Sequence, residues 1–377
     1  MPYNGQEIEL MDDDTYYYEE SMEKPRMKCW LKTLIITGIV IFSLALLVFI
    51  GIFVVFPIVF MESLSVERTF MFWNIENPKN PEFDNPEKYG ITGVNNFYIT
   101  TKDSDSNYRN LVKIGVWQIL PIDQEHSTEK DVEKLLRAET KYPILMYNHG
   151  VACTRIVPTQ GYKILRKKFH IFAMDYRGYG DSTGADLSES GIIEDNVQVY
   201  EWIRSRTNQD IYIWGHSLGS ALSIHTVKAL WEEKRIVPKG LVVESAFSTM
   251  REEVLGNPLG KFFSWLAYFN ATVLDPLEDH GFRFWSTKNI NEVRCPTMHM
   301  HAADDNVISW KLGEKLMKAA QARNTYSGRT LWHLFPSLRG YQHNNIITDP
   351  NIPQYVDEFI ELCNNYSDIQ KQKILGN

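Results

Sequence analysis

The sequence predicts an α/β fold: a mostly parallel sheet with helices on both faces, carrying an aromatic cap insertion and preceded by one transmembrane helix. Three observations predict it. Short apolar runs alternate with helical patterns along residues 91–377, the spacing of strand–helix–strand units. The run Ile211-Tyr212-Ile213-Trp214 meets Gly215-His216-Ser217-Leu218-Gly219 and then a small-residue helical pattern, so a strand turns abruptly into a helix at a serine. From Thr33 to Met61 there is no charged residue.

Taken in order, residues 1–32 read as a cytosolic tail, with Asp12, Asp13 and Asp14 followed by Tyr16, Tyr17 and Tyr18. The charge-free stretch 33–61 exceeds the roughly 20 residues that cross a ~30 Å hydrocarbon core as a helix, so it is expected to anchor the chain. Lys24, Arg26, Lys28 and Lys32 precede it and only Arg68 soon follows; the positive-inside rule keeps the N-terminus cytosolic and sends the remainder to the lumen or the cell exterior. A cleaved signal peptide would have a shorter apolar region ending at small residues, not at Phe56-Pro57-Ile58-Val59-Phe60. Asn270-Ala271-Thr272 and Asn365-Tyr366-Ser367 are glycosylation sequons, making Asn270 and Asn365 candidate acceptors in a luminal domain. Residues 62–90, with Pro78, Pro81 and Pro86, read as a connecting segment.

Beyond it, Phe97–Thr101 and Val112–Leu120 are expected to pair. Further strands are expected at Pro143–Asn148, Phe169–Asp175, Ile211–Trp214, Leu241–Glu244, Pro296–His301 and Thr330–Phe335. Helical patterns lie near Ile192–Ile203, after the serine turn to Trp231, at Trp310–Ala322 and at Gln354–Cys363. Between about 248 and 289 alternation stops and aromatics accumulate (Phe262, Phe263, Trp265, Tyr268, Phe269, Phe282, Phe284, Trp285). Most are expected to form the core of a helical cap, while some line an acyl-chain tunnel or touch the bilayer.

Composition narrows the chemistry. A formal charge of −8 carries no basic bias toward nucleic acid. Four cysteines make no disulfide scaffold, and Cys29, Cys153, Cys295 and Cys363 lack zinc-site spacing. His299 and His301 followed by Asp304 resemble a metal cluster superficially, yet no second cluster accompanies them, so no metal is expected.

A serine hydroxyl is a weak nucleophile at neutral pH and needs a histidine base held by an acid. The strand Pro296–His301 runs into Ala302-Ala303-Asp304-Asp305-Asn306-Val307-Ile308, where one aspartate is the expected acid. Asp305 is favoured because two aliphatics follow its next neighbour, leaving Asp304 to cap the loop or the next helix. His343, in the loop after Thr330–Phe335, is the expected base, and His333 within that strand a packed residue. The order Ser217, Asp305, His343 is that of the α/β-hydrolase fold. Oxyanion donors are expected at the amides of Leu218 and Val151, the latter beside Gly150.

These motifs, with YNHG (147–150), DYRGYGDS (175–182), YIWGHSLG (212–219), ESAF (244–247), REE (251–253), HAADDNV (301–307) and GYQH (340–343), resemble the membrane-anchored α/β-hydrolase domain-containing lipases. The resemblance implies a serine hydrolase of the endoplasmic reticulum membrane with a luminal catalytic domain, cleaving esters of lysophosphatidylserine-like lysophospholipids or monoacylglycerols without metal or organic cofactor. It implies Ser217, Asp305 and His343 as the triad. The family's loop is of the H-G-N-x-G type, whereas this chain has His149-Gly150-Val151-Ala152-Cys153; only a backbone amide is required there. A thioesterase or amidase using the same triad, and a catalytically silent adhesion or scaffold domain, are the alternatives. A fluorophosphonate probe separates the enzymes from the scaffold.

Overall fold

A computed structural model describes residues 28–104, 110–138, 141–184 and 187–366. Most of the expected tail and Ser367 of the second sequon lie outside the described residues. The chain divides into two compact units between Phe56 and Pro57.

In the N-terminal unit and just beyond it, helix Cys29–Ile50 continues through a π turn, Gly51–Val55, into helix Phe56–Glu62. The whole run of 34 residues is long and apolar enough to cross a membrane. Between Thr33 and Met61 it carries no charge on any face, which a helix facing water on one side would not show.

The second unit holds an eight-stranded sheet: β1 (Val94–Lys102), β2 (Leu111–Ile119), β3 (Ile144–Asn148), β4 (His170–Met174), β5 (Ile211–His216), β6 (Gly240–Glu244), β7 (Thr297–Ala302) and β8 (Thr330–Phe335), in the order β1-β2-β4-β3-β5-β6-β7-β8. Strands β1, β2 and β4 pair antiparallel, and every pairing from β4 through β8 is parallel. All eight coincide with runs expected from the sequence; β3 to β7 are buried on both faces and rich in apolar residues.

Side chains alternate between the two faces. On one, Tyr147, Tyr212, Trp214, Val242, Met298 and Met300 form a core with Tyr162 and Leu165 of helix Thr159–Leu165 and with Val356, Phe359 and Cys363 of helix Ile352–Asn365. Each fully buried side chain of this size contributes about 1.5–3 kcal/mol. On the other face, Phe172 packs on Phe97, which meets Trp202 of helix Glu189–Arg204, and the Asn148 side chain donates to Ser223 Oγ (2.8 Å) of helix Leu218–Lys234.

The stretch read as a connector begins with a further helix, Leu64–Phe72, capped by Ser63. Phe72 is fully buried against Phe282 and Phe284 of the cap, and Tyr179 Oη donates to its carbonyl. Buried Glu67 meets His280 Nδ1 at 2.6 Å. Two residues of this segment also reach the functional loops: the Asn77 amide donates to Ala152 O (3.0 Å) and Asn74 to Gly178 O (2.8 Å).

Candidate active site

The site is built where β5 ends. Ser217 sits in the left-handed region at φ 54°, ψ −122°, a conformation a serine keeps only when its surroundings impose it. The flanking glycines explain how: a Cβ on Gly215 would collide with the Gly219 carbonyl, and one on Gly219 with the carbonyls of Asn148 and His149. Ser217 N donates to Glu244 O at 2.9 Å, tying the turn to β6.

From this turn Ser217 Oγ lies 2.9 Å from His343 Nε2, and His343 Nδ1 lies 2.8 Å from Asp305 Oδ2. Since a carboxylate only accepts, Nδ1 carries the ring hydrogen and Nε2 is left to accept from the serine. Ser217 is 4 % and His343 6 % exposed, and the Asp305 side chain is fully buried. Burial disfavours the Asp305 charge, but hydrogen bonds from His301 and His343 outweigh it and hold the carboxyl well below the usual carboxylate range. Its Oδ1 accepts from the amides of Val307 (2.9 Å) and Ile308 (2.8 Å). The two aliphatics used to choose Asp305 thus bring their backbone donors to it.

Asp304 faces elsewhere. Its Oδ2 accepts from the Gln342 amide (3.1 Å), bracing the loop that carries His343, not the helix Trp310–Gln321 that follows it. His333 is half-buried and stacks on Tyr355. His299 is buried, and burial together with Arg323 pulls its pKa down to about 3.

Leu218 opens helix Leu218–Lys234, where amides have no intrahelical acceptor. Gly150 approaches so closely that a Cβ there would be 3.2 Å from Ser217 Cβ, and Val151 is its neighbour in the chain. Ala152 adopts φ 54°, closing the turn. Burial and the charge of Asp175 push the nearby Cys153 thiol up to about 11, so it stays protonated and unreactive. The DYRGYGDS run proves to be a structural cluster. Asp175 is clamped by Arg155, which also pairs Asp181 (2.8 Å), and Arg177 pairs Asp195 (2.7 Å).

Three neighbours were not identified from the sequence. His216 Nε2 (3.0 Å) and Ser245 Oγ (3.1 Å) both donate to the His343 carbonyl; burial lowers the His216 pKa, favouring the neutral ring. His301 contacts Asp305 at 3.2 Å. The position of His216 inside Gly-x-Ser-x-Gly and of His301 three residues before the aspartate pair were the only available signals.

The insertion after β6 contains helices Met250–Gly256 and Pro258–Phe263 and ends at helix Ser286–Asn289. Leu266, Phe269, Leu274, Leu277, Phe282 and Phe284 are its buried core, whereas Phe262 (58 %) and Trp265 (67 %) are exposed. Asn270 and Asn365 are exposed.

The family described as serine aminopeptidase, S33 matches residues 144–279. Lysophosphatidylserine lipase ABHD12 of Danio rerio is 31 % identical over 82 % of this chain and 81 % of its own, and that of Xenopus tropicalis 32 % over 84 % and 81 %. The crystal structure of an alpha-beta hydrolase from Vibrio vulnificus superposes with a TM-score of 0.53 at 15 % identity, over 81 % of this chain and 93 % of that one, which agrees with the fold. At this identity and coverage, the chain belongs to the ABHD12 lysophosphatidylserine lipase family of α/β-hydrolases.

Proposed function

We propose that this protein is a membrane-anchored serine hydrolase that cleaves carboxylic esters of lysophospholipids, lysophosphatidylserine-like, or of monoacylglycerols, through an acyl-enzyme on Ser217. The observation that carries the reading is Ser217 Oγ at 2.9 Å from His343 Nε2, with Asp305 at 2.8 Å on the other nitrogen. In this mechanism Ser217 Oγ attacks the ester carbonyl as its proton passes to His343 Nε2. Asp305 orients the ring and stabilises the imidazolium. The amides of Leu218 and Val151 receive the developing oxyanion, each such donor being worth about 3–4 kcal/mol. His343 then protonates the departing glycerol oxygen, and a water activated by the same nitrogen releases the fatty acid. No cofactor enters the cycle.

The span 33–61 holds the enzyme where its amphiphilic substrates partition. The basic residues before it, Lys24, Arg26, Lys28 and Lys32, against Arg68 after it, support a cytosolic tail and a catalytic domain on the luminal or outer side, and the family resemblance favours the endoplasmic reticulum membrane over the plasma membrane. Glycans at Asn270 and Asn365 fit that side. The catalytic domain occupies 91–377 with its cap at about 248–289, and the connecting segment 62–90 packs on it.

A fluorophosphonate probe tests the proposal. The wild-type chain is expected to be labelled and to hydrolyse lysophosphatidylserine, and Ser217→Ala to do neither. Folded wild-type protein that takes no label, or a Ser217→Ala variant that keeps its activity, would overturn it.

A further inference from the structure

His301, near the end of β7, is 1 % exposed. Its Nε2 is 3.2 Å from Asp305 Oδ2 and 3.0 Å from the Ile308 carbonyl. A carbonyl and a carboxylate can only accept, so Nε2 must bear the hydrogen. His301 is therefore a donor shared between the Ile308 carbonyl, its hydrogen-bond acceptor, and Asp305 Oδ2, a longer contact to the same oxygen that receives His343 Nδ1. The ring is also confined: helix Trp310–Gln321 presents Gly313 to it, and a Cβ at that position would collide with His301 Nδ1. Asp305 thus has two amides on Oδ1 and two imidazoles on Oδ2.

We infer that His301 is a positioning residue for the hydrolytic reaction: its Nε2–H fixes the Asp305 carboxylate in the orientation that presents Oδ2 to His343. The inference rests on the reading of Asp305 as the acid of the triad. The amides on Oδ1 restrain one end of the carboxylate but leave it free to rotate about that end. A second donor on Oδ2 removes the rotation, and the contact to Ile308 O ties this donor to the loop that supplies the amides. Alignment of base and acid, not substrate binding, depends on it, so its loss falls on kcat.

The test uses the full chain in detergent micelles, with kcat and KM for lysophosphatidylserine, the fluorophosphonate labelling rate, and thermal unfolding. His301→Leu packs without donating; His301→Gln returns an N–H near the position of Nε2. His301→Leu is expected to lower kcat and labelling rate by about 10- to 100-fold, with KM within about threefold, and His301→Gln to recover most of both. A residue that only packs would lower the melting temperature and leave kcat per folded molecule intact, and that result overturns the inference. So does a folded His301→Gln as impaired as His301→Leu. Should His301→Leu not fold, Gly313→Ala, which displaces the ring, serves instead: reduced kcat at unchanged KM supports the role and wild-type kcat refutes it. Asp305→Asn is measured alongside. If it remains active the triad reading itself fails; if it is inactive while His301→Leu turns over normally, only the role of His301 fails.

Discussion

Asp305 Oδ2 lies 2.8 Å from His343 Nδ1, whereas Asp304, its neighbour in the chain, accepts from the Gln342 amide on the loop that delivers that histidine. One aspartate faces the His343 ring and the other holds the loop that carries it. Asp305→Asn presents an amide N–H where Nδ1–H must donate and disfavours the productive tautomer, so kcat is expected to fall by about 10³–10⁴-fold. Asp304→Asn retains an acceptor and is expected to lose less than about tenfold. Steady-state kinetics on the two purified variants decide the matter, and equal losses would contradict the division of roles.

Gly219→Ala forces a methyl group into the carbonyls of Asn148 and His149. Neither can retreat without disturbing β3, and a loss of about 2–3 kcal/mol follows. Gly38→Ala, with nothing within 4 Å, is expected to be silent. Thermal unfolding of the two variants should separate them clearly.

Burial first and the charge of Asp305 second raise the Glu253 carboxyl from 4.5 to about 7. Its folded pKa stands above the unfolded one, so the stability linked to its proton is complete below about 4.5 and is lost as pH rises through 7. Glu253→Gln, which cannot ionise, should gain on wild type across that window, by on the order of 3 kcal/mol at pH 8. The measurement is the melting-temperature difference from pH 5 to 8; a difference that does not change with pH would refute it.

His280→Ala strips buried Glu67 of its imidazole partner. Burial already pushes the Glu67 carboxyl up, and the bond to His280 opposes that rise. The variant is expected to lose about 1–3 kcal/mol and to be cut faster by protease within 248–289, and adding Glu67→Gln should return part of the loss. Unaltered cleavage would show that the pair does not hold the cap.

The strands were legible because each is a short apolar run closed by turn residues, and the serine turn because glycine is required on both sides of it. The convergence of Ser217, Asp305 and His343 follows from the turns after β5, β7 and β8 all lying at the carboxyl end of one parallel run of strands. Helix Leu64–Phe72 was not legible, since its apolar residues continue those of the membrane span and three prolines follow. His216 and His301 escaped for another reason. Which way a strand-end side chain turns, and whether a glycine such as Gly313 makes room for it, depends on neighbours distant in the chain.

The packing of residues 64–80 has a practical consequence for making a water-soluble enzyme. Trimming back to residue 91 discards Phe72, Glu67 and Asn77 together with the anchor. The shortened product would expose Phe282 and Phe284 to solvent and release Ala152, next to Val151. A secreted version should therefore begin no later than Ser63, the cap of that helix.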